Sequence, residues 1–136
     1  MNTDTPLISA KHTRAVKFVS WGLRILAGAA FLAAGSAKLA GAPMMVAIFD
    51  HVGLGQWFRL VTGLVEIVGA IALLVPATAA FGGVLLAVTM VFAVATHLFV
   101  IGGSPVPAIV LFVMTATVAW LHRDRLVATL RGLRAR

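Results

Sequence analysis

Cysteine is absent from the chain, and with it go disulfides, dithiol redox chemistry and thiolate metal sites. Its absence does not fix the compartment, since a chain without thiols is at home in an oxidising or a reducing space. Other metal ligands are scarce too. One glutamate, Glu66, and one well-placed histidine, His97, fall short of the three or four ligands of a zinc or iron centre, and Lys38 and Arg59 would repel the cation. No pair of histidines on facing helices suggests bis-histidine haem, so no intrinsic cofactor is expected. Charged residues make up only 11% of the sequence against 61% hydrophobic. With a mean hydropathy of +1.05, the chain lies beyond the range of soluble domains and reads as one integral membrane domain, residues 1–136.

The net charge of +7 would suggest nucleic acid if the charges were clustered on one face. They lie instead at the two ends. Lys11, Arg14, Lys17 and Arg24 precede or open the first apolar run, and Arg123, Arg125, Arg131, Arg134 and Arg136 follow the last, which accounts for nine of the eleven basic residues. An even number of spans with both termini cytoplasmic satisfies the positive-inside bias, the basic residues resting against anionic headgroups. The expected partner is therefore the lipid bilayer of a bacterial-type inner membrane, not nucleic acid.

Taken in order, Met1 to Ala10 is short, polar and contains a proline, and is expected to be weakly ordered. Lys11 to Ser20 suits a helix start at the cytoplasmic interface, with Trp21 as an aromatic anchor. The first span is expected over about residues 19–40. It resembles a secretory signal, but Arg24 and Lys38 interrupt its apolar region, so it is read as a retained span. Arg24, Gly28, Phe31, Gly35 and Lys38 follow a 4-3-4-3 spacing that places them on one face, with the two glycines suited to close helix packing. Met44 to Phe49 is apolar but too short to span and reads as a short helix in the outer interface, stopped near Asp50 and His51 by Gly53 and Gly55. Further spans are expected at about residues 57–76, 79–101 and 105–121. The tight turn at Pro76-Ala77-Thr78 makes the second and third an antiparallel pair, and Gly102-Gly103-Ser104-Pro105 separates the third from the fourth. A basic amphipathic tail, residues 122–136, completes an all-α, four-helix membrane bundle.

Glu66 is the residue that this arrangement has to accommodate. A charge at the membrane centre costs about 3 kcal/mol on insertion scales, so such a residue faces the protein interior, has a partner and carries function. At about 1.5 Å of rise per residue, Glu66 lies near the midplane, Lys38, Arg59 and His97 about 10–13 Å towards the outer side, and Arg24 about 8 Å towards the inner side. A lysine stem reaches about 6 Å, so Lys38 or Arg59 can lean inwards to Glu66. His97 can donate to a carboxylate from one ring nitrogen and accept from a ligand at the other. Glu66, His97, Lys38, Arg59 and Arg24 are the candidate ligand-binding or proton-exchange residues; no residue is assigned a catalytic role.

Arg24-x3-Gly28-x2-Phe31-x3-Gly35-x2-Lys38-Leu39, Gly63-Leu64-x-Glu66-x2-Gly69 and Thr96-His97-Leu98 together resemble the DoxX family of small four-helix membrane proteins, over about Arg24 to Leu121. The resemblance implies a four-helix bundle associated with redox chemistry, since the name-giving members accompany a thiosulfate:quinone oxidoreductase and others are linked to oxidative-stress complexes. The positions that match are Arg24, Lys38, Glu66 and His97. Thiosulfate activity does not carry over, because the chain shows no separate substrate domain. The expectation is a membrane subunit or accessory protein of a redox system, interacting with quinone or with another membrane protein such as a partner oxidoreductase, or forming a homo-oligomer. A structural subunit of a larger complex and a small proton-coupled transporter are the alternatives.

Overall fold

Every described element is a helix, as a chain with long apolar runs requires where backbone groups cannot be left to water. The structure, a computed structural model, describes residues 5–135. Six helices follow one another: α1 (Thr5–Leu39), α2 (Pro43–Val52), α3 (Gln56–Leu74), α4 (Ala79–Thr96), α5 (Val106–Leu121) and α6 (Arg123–Arg134). After α4 the chain widens into a π-helical turn over His97–Ile101.

The sequence accounts for the boundaries. Pro43 stands in the first turn of α2, where its missing N–H is no loss. Gly53 closes α2 with φ +79° and donates its N–H to Phe49 O, the left-handed cap that glycine adopts without strain. α3 stops at Leu74 because Val75 precedes Pro76 and takes the extended conformation that a following proline enforces. α1 is already helical at Thr5, with Pro6 placed where a first turn tolerates it; residues 1–4, part of the segment Met1 to Ala10 that is expected to be weakly ordered, lie outside the described residues. At about 50 Å, α1 exceeds the about 30 Å of a hydrocarbon core, and Lys11, Arg14 and Lys17 lie in its extra turns.

Three helical stretches are long and apolar enough to cross a membrane, Ala10–Leu39, Gln56–Leu74 and Ala79–Ile101. Val106–Leu121 reaches that standard only together with Arg123–Arg134, from which it is bent by 63° at His122. α1 packs against α3 and α5, and α4 against α3 and α5. The contacts are made by small residues. A Cβ on Gly35 would stand 2.9 Å from Gly63 O, one on Gly82 2.8 Å from Gly69 O, and one on Gly83 2.9 Å from Thr115 O. Bulky apolar side chains point outwards instead: Leu64, Val68, Ile71, Val88, Phe92, Val110 and Val113 are all exposed. Small residues between helices and large ones outside are what a helix bundle presents to lipid, where packing rather than water exclusion draws helices together.

Candidate functional site

α1 and α3 run antiparallel, and the polar side chains between them are shared out at both ends. Lys38, in the last turn of α1, donates from Nζ to Glu66 Oε2 at 2.9 Å. Their side chains are only 14% and 5% exposed, so this is an ion pair inside the helix contact. The backbone permits it because Gly63, one turn before Glu66, lets α1 approach: a Cβ there would stand 3.0 Å from Lys38 Cβ. Oε1 of Glu66 accepts no hydrogen bond among the described residues, and Lys38 Nζ uses one of its three donors. The pair thus keeps both an acceptor and donors for a further group.

Arg59 lies close by but does not join the pair. Its Nη1 donates to the backbone oxygen of Lys38, which also accepts from Gly41 N at 3.2 Å, and its Nε donates to Gln56 Oε1. Gln56 in turn donates from Nε2 to Val46 O at 3.1 Å and to Asp50 Oδ1 at 2.6 Å. Arg59 is therefore a cation set on the C-terminal carbonyls of α1, where a helix end favours positive charge, and it ties α1 to α2 and α3. Asp50, near the expected stop of the short helix, belongs to the last turns of α2 and takes part in this tie.

Arg24 repeats the arrangement at the opposite end. It is 2% exposed, donates from Nε to Leu73 O at 2.7 Å and from Nη2 to Leu74 O, and lies 4.0 Å over the Trp21 ring. Each of the two antiparallel helices thus lends an arginine to the other's C-terminus. The signal in the sequence is that Arg24-x3-Gly28 and Arg59-x3-Gly63 share one pattern, with each glycine opening the contact one turn beyond its arginine; sequence reasoning assigned both arginines to the carboxylate or the headgroups instead.

His97 is not brought to Glu66. It begins the π-helical turn, is partly exposed, and its Nδ1 lies 3.4 Å from Gly102 O; that segment packs on α2. Of the five candidate residues the structure joins Lys38 to Glu66 directly and Arg59 to Lys38 through the backbone, and leaves Arg24 and His97 apart.

Replacing Arg59 with methionine should lower the stability of the protein in detergent by about 1.5–3 kcal/mol, the range for hydrogen bonds from a charged donor. Arg59→Lys should recover less than half of that loss, because an ammonium cannot reach Lys38 O and Gln56 together as the planar fork does. Denaturant titration in mixed micelles measures both; wild-type stability of the lysine variant would remove the capping role.

Comparison with curated proteins and with solved structures found no match. A family model does match, over residues 22–122. Those residues take in Arg24, the Lys38–Glu66 pair, Arg59 and His97, and end at the bend between α5 and α6. The chain is an integral membrane protein that belongs to the DoxX-like family.

Proposed function

We propose that the protein is a four-span subunit or accessory protein of a membrane redox system, with both termini on the cytoplasmic side of an inner membrane, and that its Lys38–Glu66 pair is the group it offers to a quinone or to a partner oxidoreductase. The observation that carries this reading is the buried pair itself, with Glu66 Oε1 unbonded. That oxygen leaves an acceptor beyond the one the ion pair itself uses. α5 supplies the fourth span together with its flanks, and the basic α6 turns away at His122 to lie along the headgroups.

The donor set suits a quinone headgroup. Lys38 Nζ has donors for a carbonyl oxygen, and Glu66 Oε1 can accept from the hydroxyl of the reduced form. A bound quinone would supply the electron-transfer chemistry. The protein would supply orientation and a carboxyl group able to exchange a proton within hydrogen-bond reach. His97 would stand outside this exchange.

The alternative of a structural subunit is favoured by a different observation: Arg24 and Arg59 are both committed to helix ends, so much of the polar interior holds the bundle together. One experiment separates the two. Gentle purification from the native membrane, followed by mass spectrometry of proteins and lipophilic molecules, is repeated with Glu66→Gln. Loss of quinone or of a dehydrogenase from the variant is the expected result; a large complex retained unchanged by the variant would overturn the redox role of Glu66.

A further inference from the structure

A second polar site lies at the end of the fold opposite the Lys38–Glu66 pair. The early turns of α1 and the α5–α6 bend border an open cleft of about 380 Å³, whose lining includes His12, Lys17, Ser20, Trp21, Arg24 and His122. The volume falls within the about 300–1,000 Å³ of small-molecule sites. Positions 12, 16, 17, 20, 21 and 24 follow helical spacing, so α1 presents one continuous face to the cleft. Ser20 Oγ and His122 Nε2 lie 2.8 Å apart and tie that face to the bend.

Among the described residues the lining holds four basic side chains and no carboxylate. The described acid at this end is Asp124, exposed in the first turn of α6, outside the cleft and flanked by Arg123 and Arg125. Burial first, and then the nearby charges of Arg24 and Arg125, hold the His122 imidazole below its ordinary pKa.

We propose that this cleft binds a phosphate group, carried either by an anionic phospholipid or by a soluble phosphate ester. The geometry of the donors selects phosphate over carboxylate. The planar fork that would grip a carboxylate belongs to Arg24, and its Nε and Nη2 are already engaged with Leu73 O and Leu74 O. What remains are point-like donors, Lys17 and His12 on the α1 face and the one donor that the Ser20–His122 bond leaves free beside the bend, and these match a tetrahedral oxyanion. Arg24 stays beneath them as a buried charge 98% shielded from solvent by the helices it links. Trp21, Val16 and Leu121 add the apolar wall that the stem of a phosphate ester would meet. The proposal is independent of the redox reading and of which side of the membrane this end faces.

The test uses the full chain in nanodiscs of phosphatidylcholine containing a minor fraction of phosphatidylglycerol, with retained lipid counted by native mass spectrometry; glycerol phosphate is titrated separately against detergent-solubilised protein. Wild type should enrich phosphatidylglycerol, and His12→Gln with Lys17→Gln, both at exposed positions that the fold does not need, should cut the enrichment about fivefold or more. Arg131→Gln with Arg134→Gln, which removes two charges from α6 outside the cleft, should leave it unchanged. Glycerol phosphate that binds wild type, with lipid enrichment absent, would assign the same site to a soluble ester; enrichment without such binding assigns it to the lipid. Equal losses from the α1 and α6 pairs would mean a diffuse basic surface and overturn the proposal, as would a wild type that binds neither probe.

Discussion

Gly82→Ala should destabilise the protein by about 3 kcal/mol or more, the upper end of the overpacking range. The added methyl would lie 2.8 Å from both Ala72 C and Gly69 O and closer still to Leu73 N. All three are backbone atoms of α3, so no rotamer change can make room; α3 and α4 must separate. Separation exposes the packing of Leu73 and Leu86, both fully buried, and with no water-exclusion force between helices in lipid there is little to restore the contact. Gly22→Ala is the control. It too lies within a long helix, but nothing stands within 4 Å of its added methyl, so the change should be neutral or stabilising by up to about 1 kcal/mol through helix propensity. Unfolding both variants by titrating a denaturing detergent into mixed micelles gives the comparison. If Gly82→Ala matches Gly22→Ala, the α3–α4 contact is looser than described.

The apolar segments were legible in the sequence because those of α1, α3 and α4 are long runs closed by proline or glycine, signals that depend on the backbone alone, and that of α5 ends where the basic residues begin at His122. The Lys38–Glu66 pair was legible for a related reason: a carboxylate in an apolar run needs a cation, and Lys38 lies within reach along its stem. Arg59 was read as another partner of Glu66 because charge suggests charge. Its true acceptor is the carbonyl of Lys38, exposed only because α1 ends at Leu39 and Gly41 turns the chain with φ +70°, and no side chain marks such an acceptor in a sequence. His97 was placed by depth and by what its ring can donate and accept, and neither says which way the side chain turns. It opens the π-helical turn that ends the span ahead of Gly102 and Gly103, and its Nδ1 lies 3.4 Å from Gly102 O, away from Glu66. The length of α1 was not legible, because a polar segment with a proline carries no apolar run to mark it as helix, whereas it continues a helix whose later turns are held by α3 and α5.

Breaking the Lys38–Glu66 pair from one side should cost more than removing it altogether. Lys38→Met leaves a carboxylate 5% exposed with no cation, and stranding a buried charge in this way costs about 3–5 kcal/mol. Glu66→Leu strands the ammonium instead, but Lys38 is 14% exposed near the end of α1 and its stem can carry the charge outwards, so the loss should be smaller. The double variant carries no buried charge and should return to within about 1 kcal/mol of wild type or exceed it, since apolar replacements of buried pairs are often neutral or stabilising. Additive losses in the double variant would mean that each residue acts through other neighbours. The cycle also decides what the pair is for. A double variant that folds as well as wild type but no longer retains quinone or a partner enzyme shows that the carboxylate is kept for its chemistry, at no benefit to the fold. One that folds and still retains them shows that the two charges serve only each other.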